Sequence, residues 1–101
     1  MPNRQKQKGS RFESDCVKVA KDHGLNAYKV PLSGAGTIKN DIHIKVGRTL
    51  WEVECKKRND SFKFLYKNIE PADILFVASD RKKTLAVIRY EDLCDLLAGK
   101  L

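Results

Sequence analysis

Apolar and polar residues alternate most regularly in NDIHIKVGRTLWEVECKK, residues 40 to 57. This period of two is typical of a β-strand with one buried face, and the central glycine suits a tight turn at residues 47–48. The pattern predicts a hairpin in which Asp41 lies directly opposite Glu54. A one-residue slip would place Asp41 among the apolar side chains, so the core itself fixes the register. The predicted buried face holds Ile42, Ile44, Val46, Trp51, Val53 and Cys55.

A helix and a strand are predicted before this hairpin. The helix runs from Ser10 to about His23, with Ser10 and Glu13 as a capping box and Gly24 as its stop. A strand follows at residues 25–30. The loop LSGAGTIKN then leads into the hairpin, and its two glycines favour flexibility or close approach of the backbone.

The second half of the chain predicts a helix, two strands and a last helix. Asp60 or Ser61 would cap the first of these helices, and Pro71 would end it. DILFVAS is predicted to be a strand buried on both faces, with TLAVIRY as its neighbour after the turn DRKK. The order α-β-β-β-α-β-β-α indicates an α/β fold, a mixed sheet with helices against it. The inward residues of the last helix would be Leu93, Leu96 and Leu97.

Length and composition predict one folded domain. The chain has 101 residues, 42% of them hydrophobic, which suffices for a modest core. We expect a flexible basic arm at residues 1–9 and a single domain at residues 10–101. No apolar run approaches the roughly 20 residues that span a bilayer, and the start lacks a signal-peptide stretch. A soluble, intracellular, cytoplasmic protein without membrane contact is therefore expected.

The three cysteines point to the same compartment. Cys16, Cys55 and Cys94 are odd in number and widely spaced, and they form no CxxC pair. This spacing is poor support for a zinc site or for a disulfide framework. We expect small, buried, reduced side chains.

The charge balance is basic. The chain carries 20 Lys and Arg against 13 Asp and Glu, a net charge of +7. This favours a polyanionic partner such as nucleic acid, although charge for solubility alone explains the same composition. No base-reading element is recognisable, so recognition of DNA shape is expected. The turn at residues 80–83 either joins the phosphate contacts or is merely solvated. The other candidate contacts are Arg4, Lys6, Lys8, Arg11, Lys39, Lys57 and Arg58.

The polar face of the hairpin sets two acids side by side. Directly opposed Cβ atoms lie about 4.5–5.5 Å apart, where like charges repel. A shared Mg²⁺ would relieve the repulsion between Asp41 and Glu54, and Lys56 on the same face could orient a water or stabilise negative charge. The alternative is a solvated face on which Lys56 neutralises the acids. Glu52 is expected opposite His43, as a surface pair.

These residues resemble a known nuclease motif. Asp41 followed by ECK at residues 54–56 is similar to the PD-(D/E)xK pattern, in the form of the archaeal-type Holliday junction resolvases, which include viral members. Glu13 on the first helix and Ser33 in the Ser-Gly loop fit the same family. The resemblance covers residues 10 to 58. It implies a restriction-endonuclease-like mixed β-sheet flanked by helices.

The resemblance also implies an activity. It implies a Mg²⁺-dependent endodeoxyribonuclease, for which Mn²⁺ can substitute, that resolves four-way DNA junctions by paired nicks as a homodimer. The implied catalytic residues are Glu13, Ser33, Asp41, Glu54 and Lys56. The implied metal ligands are Glu13, Asp41, Glu54 and the carbonyl of Cys55. A viral member would act in the host cytoplasm.

Other interpretations stay open beside this one. Glu13 suits a capping box, and Ser33 suits a turn. The alternative functions are another nicking or repair endonuclease with the same site, or a catalytically silent nucleic-acid-binding module. Four late apolar residues fit either a dimer interface or ordinary core: Leu85, Val87, Leu93 and Leu97.

Overall fold

The computed structural model describes residues 4–31 and 41–101, with side chains described from residue 9 onward. The chain divides into two compact units. The first unit comprises Met1–Lys57 and Cys94–Leu101, and the second comprises Arg58–Leu93. The single domain expected from the length of the chain stays a prediction.

The first unit begins with the helix α1, Arg4–Asp22. Its predicted start at Ser10 is wrong, because residues 4–9 of the predicted flexible arm are helical. The segment RQKQK consists of strong helix formers, which lets the helix extend backwards through Gly9. Ser10 therefore lies inside the helix and is not its N-cap, so the capping-box prediction is wrong as well.

The end of α1 follows the prediction. Gly24 has a φ of +86°, the left-handed conformation that glycine adopts at low cost. The N–H of Gly24 donates to the carbonyl of Lys21 at 2.9 Å, and that of Leu25 donates to the carbonyl of Ala20 at 3.0 Å. Two carbonyls of the last turn thus find partners, and the chain turns into the first strand.

Three antiparallel strands complete the first unit: β1 (Asn26–Lys29), β2 (Ile42–Val46) and β3 (Thr49–Val53), in the order β1-β2-β3. Ile42 pairs with Val53 and Ile44 with Trp51, which confirms the register predicted from the alternating pattern. The turn contains Gly47 at a φ of +59°.

The core of the first unit lies between α1 and the sheet. The helix packs against β1 and β2. Trp51 on β3 was predicted to face inward, yet 51% of it is exposed. Because α1 covers mainly the other two strands, this edge strand receives less cover. The buried residues of this unit are Val17, Ala20, Leu25, Ala27, Ile42, Ile44 and Cys94.

The second unit contains the helix α2 (Lys63–Ile69) and the strands β4 (Ile74–Val77) and β5 (Leu85–Ile88), which pair antiparallel. The residue at the N-cap position of α2 is Phe62, and no side chain caps it, so the predicted cap at Asp60 or Ser61 is wrong. The other end is capped by Arg89. Its guanidinium donates to the carbonyl of Ala72 at 3.0 Å and to that of Ile69 at 3.1 Å.

The prediction that the strand DILFVAS is buried on both faces is wrong. Ile74 is 49% exposed and Phe76 is 71% exposed, while Leu75 and Val77 between them are half-buried. Within the second unit α2 is the helix that packs on β4 and β5. A two-stranded hairpin with one helix leaves every second residue of β4 at the surface.

The last helix, α3, spans Tyr90–Leu97 and is followed by Gly99 at a φ of +74°. Its buried residue is Cys94, which has no exposed surface. Leu93 and Leu97 are half-buried. Leu96 was predicted to point inward, but it is 49% exposed.

The element order α-β-β-β-α-β-β-α and the α/β class are both confirmed. All strand pairs among the described residues are antiparallel, in a three-stranded and a two-stranded sheet, which differs in detail from one mixed sheet. The connections after β2 (residues 47–48) and after β4 (residues 78–84) favour this, because both are too short for the crossover that a parallel neighbour requires. No helix within residues 4–31 and 41–101 has the length and apolar character needed to cross a membrane.

Candidate active site

Asp41 is fixed at the start of β2 by three hydrogen bonds. Its N–H donates to the carbonyl of Val53 at 2.9 Å, and its own carbonyl accepts from the N–H of Val30 at 3.1 Å. One side-chain oxygen, Oδ2, accepts from the N–H of Cys55 at 2.6 Å. The half-buried carboxylate is therefore held against the segment that follows β3. Its second oxygen makes no hydrogen bond within the described part of the chain.

Glu54 and Lys56 lie in that segment. Lys56 Nζ is 3.8 Å from Glu54 Oε1, and the two side chains are 58% and 47% exposed. Residues two apart on an extended chain share a face, as predicted for this pair. An ion pair this exposed contributes little to stability because water screens it. Both groups can therefore exchange partners at low cost.

Glu13 extends from α1 toward the same region, with 24% of its side chain exposed. Burial raises the pKa of its carboxyl, and the negative charge of Asp41 raises it further. Lys29 opposes this shift, and Glu54 adds to it more weakly than Asp41. Three carboxylates from three segments thus influence each other electrostatically.

The donor set fits a hard divalent cation in its chemistry. Mg²⁺ binds through one or two carboxylates and retains waters, and carboxylate oxygens are what Glu13, Asp41 and Glu54 offer. A cation would also relieve the repulsion that raises the pKa of Glu13. The described ranges contain no set of three His, Cys, Asp or Glu side chains that is already close enough to hold a metal ion.

Two predicted residues lie outside the described part of the chain. Ser33 and Lys39 fall within residues 32–40. Their predicted roles, support of the phosphate and a DNA contact, stay predictions. The proposed coordination through the carbonyl of Cys55 is likewise untested.

The three cysteines lie close enough to influence one another. The side chains of Cys16 and Cys55 form a hydrogen bond, and all three cysteines are free thiols. Burial raises the pKa of Cys16, and burial followed by the nearby Cys16 raises the pKa of Cys55 to about 12. Cys94 is fully buried, as predicted, whereas the other two are half-buried. The side chain of Cys55 is therefore partly buried, while its backbone N–H donates the hydrogen bond to Asp41 Oδ2.

Lys29 was missed by the sequence analysis. Its Nζ donates to Ser10 Oγ at 3.0 Å and to Ser14 Oγ at 3.4 Å, and it lies 4.0 Å from Glu13 Oε1. It therefore places a positive charge beside Glu13. The pairing of β1 with β2 brings it there, and residues 30–41 separate these strands in the sequence, so no short-range pattern could reveal it.

The predicted position of Glu52 opposite His43 is confirmed by the strand register, but the two side chains do not form an ion pair in the described part of the chain. Instead, His43 Nδ1 lies 3.3 Å from the hydroxyl of Tyr28, and the two rings meet edge to face at 5.5 Å.

The candidate DNA contacts are spread along the chain. Arg11 is exposed on α1, and Arg58 is exposed at the start of the second unit. Lys57 Nζ lies 5.5 Å from the centre of the Phe12 ring, a cation–π contact. Arg4, Lys6 and Lys8 lie in the first turns of α1, and their side chains are outside the description.

Comparison with known proteins assigns the family. The family model described as archaeal Holliday junction resolvase (Hjc) matches residues 4–93. The chain therefore belongs to the archaeal Holliday junction resolvase family. This membership implies Holliday junction resolvase activity, hence a nuclease that binds branched DNA. Searches among curated proteins and among solved structures gave no match.

Proposed function

We propose that this protein is a Mg²⁺-dependent endodeoxyribonuclease that resolves four-way DNA junctions by paired nicks. The observation that carries the proposal is the match of the resolvase family model to residues 4–93. Burial of Glu13 together with the charges of Asp41 and Glu54 raises the pKa of Glu13, which supports the proposed metal site. Acids with a purely structural role would be expected to lie apart, because like charges repel. Glu13 instead lies near enough to Asp41 and Glu54 for their charges to raise its pKa, and Lys56 pairs with Glu54.

The chemistry is hydrolysis of a phosphodiester. A water attacks phosphorus, the bond to the leaving oxygen breaks, and a phosphate and a hydroxyl remain at the nick. Lys56 is exposed, so its ammonium can orient that water or donate to a phosphate oxygen. Ser33 would add a donor to the phosphate.

Glu13, Asp41 and Glu54 would hold the cation, with the carbonyl of Cys55 as a further ligand. When bound, Mg²⁺ would offset the charge that develops on the phosphate and lower the pKa of a bound water. Mn²⁺ would substitute, because it also accepts oxygen ligands. The hydrogen bond from Cys55 to Asp41 Oδ2 would orient that carboxylate and leave its other oxygen for the metal.

We further propose a homodimer and a cytoplasmic location. One chain supplies one set of these residues, and two symmetric cuts require two sets related by a two-fold axis. Free thiols at Cys16, Cys55 and Cys94 suit a reducing compartment. The basic residues of α1 with Lys39, Lys57 and Arg58 would contact phosphates.

A junction assay tests the substrate. The protein is incubated with a four-way junction and, separately, with a linear duplex of the same sequence, each with Mg²⁺, with Mn²⁺ or with EDTA. We expect symmetric nicks on the junction with either metal and none with EDTA. Equal digestion of both substrates would reject junction selectivity in favour of a general nicking nuclease. Tight junction binding without cleavage in either metal would favour a silent binding module.

Sedimentation of the protein alone and with the junction tests the assembly. We expect a dimer that binds one junction. A monomer in both samples would contradict the symmetric mechanism.

A further inference from the structure

The second unit holds a cavity of about 680 Å³ at the turn end of the β4–β5 hairpin. This volume lies within the range of small-ligand sites, roughly 300–1,000 Å³. All of its lining residues belong to Arg58–Leu93, so none of the candidate catalytic residues takes part. The residues that matter here are Phe64, Phe76, Ser79, Lys82, Lys83 and Leu85.

The walls of the cavity combine aromatic rings with positive charge. Phe64 is 65% exposed, Phe76 is 71% exposed and Leu85 is 65% exposed. Exposed apolar groups in a cluster of this kind mark contact surfaces. Neither Lys82 nor Lys83 forms an ion pair in the described part of the chain, and no acid lines the cavity. The ligand should therefore present a flat apolar face together with negative charge.

The turn beside the cavity fixes where the lysines lie. The N–H of Lys82 donates to the carbonyl of Ser79 at 3.1 Å, which closes a tight turn. Arg81 adopts a φ of +63°, a conformation that costs energy for any residue with a side chain. Asp80 is the one acid among residues 80–83, beside three basic residues. The turn is therefore net positive beside the aromatic wall.

We infer that this cavity binds an unstacked nucleotide of single-stranded DNA. Phe64 and Phe76 would contact the base, and Lys82 and Lys83 would contact the neighbouring phosphates. Duplex DNA hides the faces of its bases, whereas a single strand presents them together with its phosphates. The contact should tolerate any base, because each has an aromatic face. This goes beyond the proposed function, since it requires neither the carboxylates nor cleavage.

The binding test uses a labelled oligothymidylate and the full chain without divalent metal. Fluorescence anisotropy should show saturable binding, and Phe64→Ala and Phe76→Ala should each weaken it by about five- to a hundredfold. Tyr66→Ala is the matched control: Tyr66 is 74% exposed on the same helix but does not line this cavity. Equal weakening by the control variant would overturn the inference.

The two lysines give a second readout that does not depend on packing. Replacing both Lys82 and Lys83 by Gln should reduce the slope of log affinity against log salt by about 1.4, the value for two phosphates on a single strand. The control replaces Lys63 and Lys67, which are exposed on α2, and it should leave the slope nearly unchanged. An equal change in both double variants would indicate general attraction and overturn the site.

Photocrosslinking separates the remaining explanations. An oligonucleotide that contains 5-iododeoxyuridine should crosslink to peptides containing Phe64 or Phe76. Crosslinks confined to residues 1–57 would overturn the inference. A shift from dimer to monomer in Phe76→Ala, with unchanged oligonucleotide binding, would also overturn it and would assign the surface to a second copy of the chain. Either failure leaves junction cleavage, and so the proposed function, unaffected.

Discussion

The two units of the chain place their apolar residues differently. In the first unit, Ala20, Ile42 and Cys94 have no exposed surface. Among the described residues of the second unit, Ile69 alone is buried, whereas Phe76 exposes 71% of its surface. The first unit surrounds its core with one long helix and three strands, and the second has one short helix on two strands.

The difference in burial corresponds to a difference in the polar and charged groups of the two units. The carboxylates and Lys56 lie on the first unit, where strand pairing and hydrogen bonds fix Asp41. Catalytic groups need such support, because small displacements lower the rate steeply. The second unit instead exposes aromatic side chains beside basic ones, which suits binding. Packing and hydrogen bonds thus fix Asp41 in the first unit, whereas the second unit leaves large apolar side chains at its surface.

Thiol reactivity gives the largest expected effect. Burial raises the pKa of Cys55 from 9.0 to about 12, which lowers the thiolate fraction near neutral pH about a thousandfold. We expect alkylation of Cys55 to be slower by about that factor in the folded chain than in denaturant, measured by mass spectrometry over time. Equal rates in both conditions would show that the core of the first unit opens readily.

Asp41→Asn is expected to abolish cleavage and to retain junction binding. Asn keeps an oxygen that can accept from the N–H of Cys55, so the fold should persist. Loss of a residue that hydrogen-bonds to a metal ligand lowers metal affinity or activity about 10–100-fold, and loss of a direct ligand should lower it more. Cleavage and gel-shift assays measure the two properties. Glu52→Gln, an exposed acid on β3, is the control, and cleavage by Asp41→Asn at the normal rate would refute the site.

Arg89→Met tests whether the two units unfold together. It removes the cap on the carbonyls of α2, so we expect the free energy of unfolding to fall by about 1–3 kcal/mol. Urea unfolding is followed by circular dichroism for the whole chain and by the fluorescence of Trp51 for the first unit. Coincident shifts would support a single domain. An unshifted Trp51 transition would show that the two units unfold independently. Arg48→Met provides the control.

Glu13→Gln gives the smallest effect on stability and the clearest sign. The raised pKa of Glu13 means that its proton stabilises the folded chain fully below the ordinary value of 4.5, and that this contribution is lost as pH rises through the folded pKa. Gln carries no charge at any pH. We therefore expect a gain of about 0.5 kcal/mol or less above that pKa and none at low pH, measured by thermal unfolding.

Cleavage by the same variant should fall by about tenfold or more if Glu13 holds the cation as proposed. A purely structural Glu13 would instead lose stability and keep its activity. Glu52→Gln is again the matched control, and it should change neither property.

Local sequence patterns predicted most of the helices and strands. The alternation in residues 40–57 specified the hairpin and its register, because a slip would bury a charge. Gly24 ended α1 as predicted, and Gly99 follows α3 in the same way, since both adopt a positive φ. The predicted start of α1 was wrong. The capping motif at Ser10 competes with the strong helix formers before it, and their propensity favoured the longer helix.

Patterns in the sequence predicted the element order, the hairpin pairing and the motif of Asp41 with Glu54 and Lys56. Each depends on residues close in the chain, where geometry follows from periodicity. Tertiary packing set the remaining features: Lys29 lies beside Glu13, Cys16 contacts Cys55, and the strand at Phe76 is exposed. Those outcomes depend on which distant surfaces cover each other, and a one-dimensional pattern of polarity does not encode that choice.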